Sequence, residues 1–585
     1  YVGIPVDVLT SWGICQYTKY GNPYVHIPYY LTSGEPNDHA VRQRIALQGD
    51  RRFEWRKGSK ATLYGLELLA KPEGRQYVFL VEGESDAHVL RYADEPFLAV
   101  PGATNLNYDR DAKHFEYIET IYVVREPDQG GDALINKLFS APFKDRVRVV
   151  TLGVNKDVRA LWLTTGKDTV MFVNALSQAI ETSKPLSEIE EERLDADRLR
   201  YLEQCGDLAA RDNIIAEFDK RVRKASNIVG EHRALALLYL AMTSRVMKKP
   251  VNVIIKGPSS VGKSFVLDCT KMFFPQEAYI FRTTVSMRVM FYTEQSFKHR
   301  HIIFAEARDA DVTGSDFDLT IRSLLSEGRI SHETVIDHKA VLFEKEGPTG
   351  LIMTTTKASL YTDNETRCLS VWVSDVNDKI LEVLLAQNKD VPVDIDVSDF
   401  IALQQLISTL PSTDVDIPFA DEIVTNLSDV TELRLMRDWA QVRSLISAHA
   451  LLHHQSREYR NGKYVAIYED YGVVRELVND VIGQAVSVNV PNRIRETVKA
   501  VQELCMDQAD GVSNTDIRLY LGLSAGAVSD RVNKALEEGY LTNENTRRGR
   551  PNVLKVGRSM PDERDLFPSV QTVRDAVEAR SHSGV

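Results

Sequence analysis

The octapeptide GPSSVGKS, from Gly257 to Ser264, constrains the fold more than any other stretch of the chain, because it matches the pattern G-x-x-x-x-G-K-[ST]. The apolar run VNVIIK precedes it, and the apolar helical pattern FVLDCTKMFF follows it. A strand, a glycine-rich loop and a helix in this order present backbone N–H groups to phosphates at a helix N-terminus. The sequence therefore predicts an α/β nucleotide-binding core.

The residues around this loop each have an expected contact with ATP. Lys263 is expected to reach the β- and γ-phosphates, and Ser264 to ligate Mg²⁺. The strand HIIFA ends at Glu306, which is placed to orient the attacking water, and Ala305 stands where a metal-binding Asp is common. The strand GLIMTTT ends in three threonines, of which Thr355 is assigned to sensing the γ-phosphate. The predicted ATP-binding residues are Gly257, Pro258, Ser259, Ser260, Val261, Gly262, Lys263, Ser264 and Thr355.

Arg367 lies in the segment ETRCLSVWVSD, ahead of a further apolar strand. It is either a finger that completes the ATP site of a neighbouring subunit, or a partner of a nearby acid in a surface salt bridge. The order of these motifs over residues 250 to 380 resembles the ring helicase ATPases of phage and mobile-element replication proteins, which have P-loop cores of the AAA+ or RecA-like kind. The resemblance implies ATP hydrolysis, DNA unwinding and a ring homo-oligomer, expected to be a hexamer.

Carboxylates follow two apolar strands at the points where the strands end. Glu82 follows the run YVFLV, and Glu126 and Asp128 follow IYVVR, with a glycine pair behind them. The alternation of strands and helices from 76 to 183 predicts a mainly parallel sheet, whose strands end at one edge. Because clustered carboxylates repel unless a cation neutralises them, we predict a Mg²⁺ or Mn²⁺ site there. Asp157, after a third strand, is a further candidate ligand.

This pattern resembles the TOPRIM domain of bacterial-type primases, topoisomerases and some nucleases. Glu82 matches its first acid, and Glu126-x-Asp128 matches its D-x-D, with Glu in place of the first Asp. The lead-in KGSKATLYGLELLAK resembles the bacterial-type primases in particular. That resemblance implies Lys60 near nucleotide or primer phosphates, and primer synthesis from NTPs. Glu84 and Asp86 are expected to shape the turn and begin the next helix, where acids are favoured.

Two segments are candidates for DNA binding. RRFEWRKGSK combines basic and aromatic side chains, which suits single-stranded DNA, although an exposed basic edge strand has the same composition. Residues 490 to 557 resemble a winged helix, with a recognition helix at about 524 to 538 that suits double-stranded DNA, although such folds also dock proteins or form lids. The candidate DNA-binding residues are Arg51, Arg52, Arg56 and Lys57 in the first segment, and Arg531, Lys534, Arg547, Arg548 and Arg550 in the second.

The 585 residues suggest roughly three or four domains. The predicted organisation is a β-rich primase-like region at 1–75, a TOPRIM domain at 76–185, a helical linker at 186–248, the ATPase core at 249–400, a helical region at 401–489, a winged helix at 490–557 and a polar, loosely ordered tail at 558–585. The net charge of −12 argues against a uniformly basic nucleic-acid-binding protein, so DNA contacts must come from local patches.

Five scattered cysteines without a CxxC pair argue against a disulfide framework or a zinc ribbon, and favour a reducing cytoplasm. The sequence contains no run of about 18 apolar residues, so we expect no membrane span. The chain begins at Tyr1 rather than Met, which leaves room for an upstream module.

The leading hypothesis is a primase-helicase of a phage or mobile element, in which an ATP-driven ring is coupled to metal-dependent primer synthesis. A TOPRIM nuclease controlled by an ATPase, as in some anti-phage systems, would use the same residues. An origin-binding remodeller with a structural TOPRIM domain is the third possibility.

Overall fold

The computed structural model divides into two compact units, Tyr1–Ala196 and Asp197–Val585. The residues that the structure describes are 3–19, 21–46, 52–70, 76–259, 261–282, 293, 295–305, 323–324, 329–336, 339–356, 367–373, 380–388, 395–428, 434–485, 492–507, 511–545, 551–558, 560 and 565–583.

The first unit begins with the helix Val6–Ser11 and an antiparallel sheet in the order β1-β2-β3-β4. In β2 and β3, the buried positions lie towards the end of each strand, whereas the first residues are exposed or partly exposed. The bounds are β1 Cys15–Lys19, β2 Asn22–Tyr30, β3 Pro36–Arg44 and β4 Phe53–Trp55.

A second sheet follows, in the order β6-β5-β7-β8-β9, with the first four strands parallel and β9 antiparallel. The strands are β5 Tyr77–Glu82, β6 Phe97–Val100, β7 Thr120–Val124, β8 Val147–Val150 and β9 Lys184–Pro185. The helices are Glu84–Tyr92, Tyr108–Asp111, Gln129–Leu138, Val158–Thr164, Thr169–Glu181 and Leu186–Cys205, the last of which runs past the end of the unit.

Both faces of this second sheet are covered. On β5, Phe79 and Val81 belong to one buried cluster, and Val78 and Leu80 belong to another. Successive side chains of a strand point to opposite faces, so a strand covered on both sides is apolar at every position. This is why the run from Val78 to Val81 has no polar residue until the strand reaches the sheet edge.

The second unit contains a fully parallel sheet in the order β11-β12-β15-β10-β16. Separate small sheets are β13-β14, β17-β19-β18 and β20-β21. The bounds are β10 Val253–Lys256, β11 Tyr279–Arg282, β12 Arg300–Phe304, β13 Arg329–Ile336, β14 Lys339–Glu346, β15 Thr349–Thr355, β16 Leu369–Trp372, β17 Val415–Asp416, β18 Tyr459–Arg460, β19 Lys463–Val465, β20 Leu541–Asn543 and β21 Leu554–Val556.

Helices of the second unit surround this sheet and form a separate C-terminal bundle with its own core. In that bundle, Ser513 and Ser524 cap two helices through their side chains. The helices are Ile214–Ser226, His232–Thr243, Lys263–Lys271, Ile380–Gln387, Ser398–Ser408, Ala420–Thr425, Leu435–Leu452, Tyr468–Ala485, Asn492–Asp507, Asn514–Leu521, Ala525–Glu537 and Val570–Ser583.

Two regions differ in character from the sequence-based expectation. Phe218 and Leu238 lie in the segment that was expected to be a linker, yet both are fully buried in the main core of the second unit.

The tail was expected to be loosely ordered, and that expectation is wrong for residues 565–583. Phe567 and Val573 are buried in the same core, and the Tyr471 hydroxyl donates a hydrogen bond to the Pro568 carbonyl oxygen at 2.6 Å. A few apolar residues in a polar segment suffice to anchor its helix.

The mixed α/β architecture with parallel sheets is confirmed in both units. Among the described helices, none combines the length and the hydropathy that a transmembrane segment requires.

Candidate functional site

The glycine-rich loop connects the carboxyl end of β10 to the helix Lys263–Lys271. Gly257 has φ +155°, and a Cβ on it would lie 2.8 Å from Val261 Cγ1, so a side chain does not fit there. The Lys263 ammonium is buried under the loop and donates to the carbonyl oxygens of Gly257 at 2.8 Å and Pro258 at 2.6 Å. The loop is therefore folded around the cation that would contact phosphates.

Other predicted ATP-site residues lie around the same loop. Ser264 is exposed in the first turn of the helix. Thr355 is the register partner of Lys256, the residue before the loop, so the carboxyl end of β15 lies beside it. Thr354 donates from its hydroxyl to the Ala305 carbonyl oxygen at the end of β12. Ser259, Val261 and Gly262 complete the described part of the loop, and Ser260 and Glu306 lie outside the described residues.

Arg367 lies at the other end of the sheet from the loop. Leu369 is paired with Val253 in a parallel register, so Arg367, two residues earlier, is at the amino end, whereas Gly257 follows the carboxyl end. At about 3.3 Å per residue, the two positions are on the order of 20 Å apart along the strands. This geometry does not suit contact between Arg367 and the phosphates of its own chain.

The carboxylates of the first unit converge at the edge where β5 and β7 end. A Cβ placed on Gly130 would lie 3.0 Å from Glu82 Oε2 and 3.1 Å from Asp128 Oδ1, so both oxygens crowd one glycine. Glu82 Oε1 is buried and, within the described part of the chain, has no hydrogen-bond partner. Asp128 Oδ1 caps the helix Gln129–Leu138, because it accepts from the N–H groups of Gly130 and Gly131 at 3.0 and 3.1 Å.

Burial and mutual repulsion make this edge electrostatically unfavourable for ionised carboxylates. Burial raises the pKa of Glu82 to about 7, with Glu126 and Asp128 adding to the effect. Burial also raises the pKa of Glu126. The Lys156 ammonium compensates in part: it lies 2.9 Å from Asp128 Oδ2 and 3.4 Å from Glu126 Oε2, and it lowers the pKa of Asp128.

The donor set suits a divalent cation, since it consists of hard carboxylate oxygens with one buried oxygen left unpartnered. Oxygens of Glu82, Glu126 and Asp128 do not all lie within 4.8 Å of one another, and the Lys156 ammonium stands beside two of them. A metal would therefore have to replace this ammonium. Asp157, the other predicted ligand, caps the helix Val158–Thr164 by accepting from the Ala160 N–H at 2.6 Å.

Replacing Lys156 with methionine is expected to strengthen Mn²⁺ binding roughly two- to fivefold, because the ammonium competes with the metal and an exposed ion pair contributes up to about 1 kcal/mol. Mn²⁺ affinity can be measured by electron paramagnetic resonance. Lys144→Met is the matched control, since Lys144 pairs with Glu190 instead. Unchanged or weaker binding in Lys156→Met would show that the ammonium does not occupy the position of the metal.

Two acids that were expected only to shape the turn are buried in side-chain networks. Glu84 Oε1 accepts from the Tyr29 hydroxyl at 2.5 Å and from Arg42 Nη1 at 2.7 Å, which ties the N-terminal sheet to the helix after β5. Asp86 Oδ1 accepts from the Arg159 N–H at 2.9 Å, and burial raises the pKa of Asp86. Their positions in the first turn of the helix fit the expectation, and their burial adds the contacts with Tyr29, Arg42 and Arg159.

The predicted basic segment of the first unit is only partly available to a ligand. Arg52, Arg56, Lys57 and Lys60 are exposed. The Phe53 and Trp55 rings, however, pack against the core and beneath the Arg42 guanidinium, at 4.6 and 5.5 Å. No contact joins Lys60 to the carboxylates among the described residues, and Arg51 lies outside them.

In the C-terminal bundle, Arg531 and Lys534 both lie on the helix Ala525–Glu537. Lys534 is exposed, whereas Arg531 pairs with Glu496 of a neighbouring helix at 3.2 Å. The strands β20 and β21 form a hairpin after this helix. The hairpin arginines Arg547, Arg548 and Arg550 fall outside the described residues.

The strand, glycine-rich loop and helix, with Lys263 folded beneath the loop, define a P-loop domain in the second unit. In agreement, a family model described as the MTBMA_p00010 P-loop domain matches residues 214–398. No curated protein sequence matches the chain.

Among the solved structures that are similar to part of the chain, two come from the same bacteriophage system. One contains the bacteriophage T7 lagging-strand DNA polymerase interacting with primase domains of two gp4 subunits bound to an RNA/DNA hybrid and dTTP; the match has 18% identity and a TM-score of 0.27, and covers 31% of this chain and 89% of that chain. The other is the primase fragment of the bacteriophage T7 primase-helicase protein, with 21% identity, a TM-score of 0.24, and coverage of 29% of this chain and 69% of that chain.

Proposed function

We propose that the chain is a DNA replication enzyme in which an ATP-driven helicase motor and a TOPRIM-type primer-synthesis site share one polypeptide. The observation that carries the proposal is that a glycine-rich loop folded around a lysine and an edge of converging carboxylates lie in separate α/β units. One is the loop around Lys263 in the second unit, and the other is the carboxylate edge at Glu82 and Asp128 in the first.

In the motor, Lys263 exchanges the loop carbonyl oxygens for the β- and γ-phosphates of ATP, and the helix N-terminus adds a favourable field. Ser264 holds Mg²⁺, Glu306 orients the attacking water and Thr355 contacts the γ-phosphate. Arg367 completes the ATP site of a neighbouring copy, which fits its distance from the loop of its own chain. Catalysis therefore requires a ring of identical subunits, and we propose a hexamer.

In the first unit, Glu82, Glu126 and Asp128 would hold Mg²⁺ or Mn²⁺, and the carboxylate of Asp157 lies near enough to help raise the pKa of Glu126. When bound, the metal would neutralise the negative charge that develops on the phosphates during nucleotidyl transfer. The exposed Lys60 binds nucleotide or primer phosphates. Where the carboxylates hold a metal, Lys156 would no longer be the partner of Asp128, and its ammonium would contact the phosphates of an incoming triphosphate.

The C-terminal bundle acts as a winged helix that binds double-stranded DNA. The three helices between Asn492 and Glu537, followed by the antiparallel pair of β20 and β21, support this proposal. Lys534 and the hairpin arginines contact the duplex, and Arg531 does so after release from Glu496. Arg52, Arg56 and Lys57 guide single-stranded template by contacting its phosphates.

A primer assay tests the proposal. Full-length protein incubated with single-stranded template, ATP, labelled NTPs and Mg²⁺ is expected to make short primers. Glu82→Gln and Asp128→Asn should each reduce primer yield at least about a hundredfold, since each removes a negative metal ligand. Glu188→Gln is the matched control, because Glu188 is exposed and pairs with Lys184.

The same assay separates the competing functions. Template degradation that the two substitutions abolish would identify a nuclease, which could use the same carboxylates. If neither primers nor degradation appear while ATP hydrolysis persists, the remodeller is favoured. The contact of Lys156 with Glu126 and Asp128 supports the remodeller, because a lysine of the same chain can take the place of a metal in a structural domain.

A further inference from the structure

A second group of potential metal ligands lies in the second unit, between the helices Leu435–Leu452 and Tyr468–Ala485. One ring nitrogen each of His449 and His453 and one carboxylate oxygen of Asp470 lie within 4.8 Å of one another, and all three residues are buried. The two imidazole rings stack with their centroids 4.4 Å apart. The spacing of four residues brings both histidines to one side of the helix end.

Hydrogen bonds determine which nitrogen of each ring can bind a ligand. His449 Nδ1 lies 2.7 Å from Asp470 Oδ1, and the carboxylate of Asp470 also accepts from the Arg457 guanidinium, which favours its ionised form. An ionised carboxylate only accepts, so His449 Nδ1 carries the proton. His453 Nδ1 lies 3.0 Å from the His449 carbonyl oxygen, so it must also donate.

Both Nε2 atoms are therefore the nitrogens that remain for a metal. His453 Nδ1 is already engaged with the His449 carbonyl oxygen, so Nε2 is the nitrogen of this ring that keeps a lone pair. Within the described part of the chain, this buried Nε2 has no hydrogen-bond partner. A buried polar atom without a partner costs free energy, which a ligand would recover.

Asp470 is arranged to orient His449 rather than to bind a metal itself. Its two oxygens accept from His449 Nδ1, from Arg457 Nε at 2.9 Å and Nη2 at 2.7 Å, and from the Ile467 N–H at 2.8 Å. A carboxylate on the far nitrogen of a ligating histidine is the usual outer partner in metal sites, where it fixes the tautomer and the ring orientation. Arg457 in turn balances the charge of Asp470.

We propose that His449 and His453 bind a transition metal ion, Zn²⁺ in the cell, through their Nε2 atoms, with Asp470 as the orienting carboxylate and water completing the coordination. Neutral imidazole suits Zn²⁺, whereas Mg²⁺ requires oxygen ligands. The metal would join the end of one helix to the first turn of the next. This site is independent of the carboxylate edge of the first unit and of the proposed function.

Co²⁺ provides a spectroscopic test on the full-length protein, because its visible absorption reports nitrogen ligation. The protein is first treated with a chelator and then titrated with Co²⁺ in excess Mg²⁺, which fills the carboxylate and nucleotide sites. We expect one equivalent of Co²⁺ with a tetrahedral or five-coordinate spectrum, displaced by one equivalent of Zn²⁺.

Asparagine variants test whether the two Nε2 atoms are the metal ligands. In His449→Asn and His453→Asn, the amide N–H can replace the Nδ1 donor, so the network is kept while the metal ligand is lost. Each variant should weaken Co²⁺ binding by more than the 10- to 100-fold that loss of an outer partner typically causes. His454→Asn is the matched control, because His454 donates to the Leu451 carbonyl oxygen, contacts the Tyr464 ring and lies outside the cluster.

A stability measurement keeps the test decisive if a variant folds poorly. Zn²⁺ should raise the Tm of the wild type and of His454→Asn, but not that of His449→Asn or His453→Asn. The proposal is overturned if the wild type binds no Co²⁺ in excess Mg²⁺, or if the two cluster variants bind Co²⁺ as tightly as the wild type. Neither result would affect the primer or ATPase assays.

Discussion

Replacing Lys263 with alanine is expected to reduce ATP hydrolysis at least about a thousandfold and to abolish DNA unwinding. Its ammonium is the buried cation of the glycine-rich loop, and it is held there by two carbonyl oxygens at 2.8 and 2.6 Å. In phosphoryl transfer, catalysis consists largely of positioning and charge neutralisation, so loss of this cation removes both. The measurements are steady-state phosphate release and a strand-displacement assay.

The control for this change is Lys248→Ala, in which an exposed lysine that pairs with Asp414 is lost from the same unit. Its hydrolysis rate should equal that of the wild type. Circular dichroism and thermal melting should show that both variants are folded. Unwinding that persists in Lys263→Ala would mean that the loop is not the motor site.

Replacing Arg367 with alanine is expected to leave ATP binding intact and to reduce turnover by about 10³- to 10⁵-fold, the range for arginine fingers. The parallel register of β10 and β16 separates Arg367 from the loop of its own chain by the length of the sheet. If Arg367 is a finger, it would have to act on a second copy of the chain. Nucleotide binding by equilibrium titration and turnover by phosphate release separate the two effects.

Mixing two inactive proteins tests the action between subunits directly. Arg367→Ala keeps the loop, and Lys263→Ala keeps the finger, so a mixed ring contains some sites with both. Partial recovery of hydrolysis in the mixture is expected, and it should depend on the mixing ratio. If Arg367 works within its own chain, or only forms a surface ion pair, the mixture will remain as inactive as its components.

Local sequence patterns predict the parts of the fold that depend on residues close to one another in the sequence. The run from Val78 to Val81 indicates a strand buried on both faces, and the structure places β5 beside β7, parallel to it. Because parallel strands end at one edge, the neighbourhood of Glu82 and Asp128 follows from strand order alone. The helix caps at Ser513 and Ser524 are predictable for the same reason, since a cap involves only the next turn.

Contacts between distant segments could not be predicted in this way. Lys156 meets Asp128 only because β8 pairs with β7, and a lysine in a loop otherwise indicates solvent exposure. Glu84 is buried because Tyr29 and Arg42, more than 40 residues earlier, satisfy its oxygen. The pairing of His449 with Asp470 likewise depends on how two helices pack. Secondary-structure propensity carries no information about side-chain partners that are distant in the sequence.

The two carboxylate oxygens of Asp128 make different contacts. Oδ1 holds the first turn of the helix Gln129–Leu138, and Oδ2 faces the Lys156 ammonium, where a cation would bind. The same side chain therefore fixes a helix end and would contact a metal bound at this edge. A small movement of that helix would displace one oxygen of the proposed metal site, so the position of the helix and binding at the edge would be coupled.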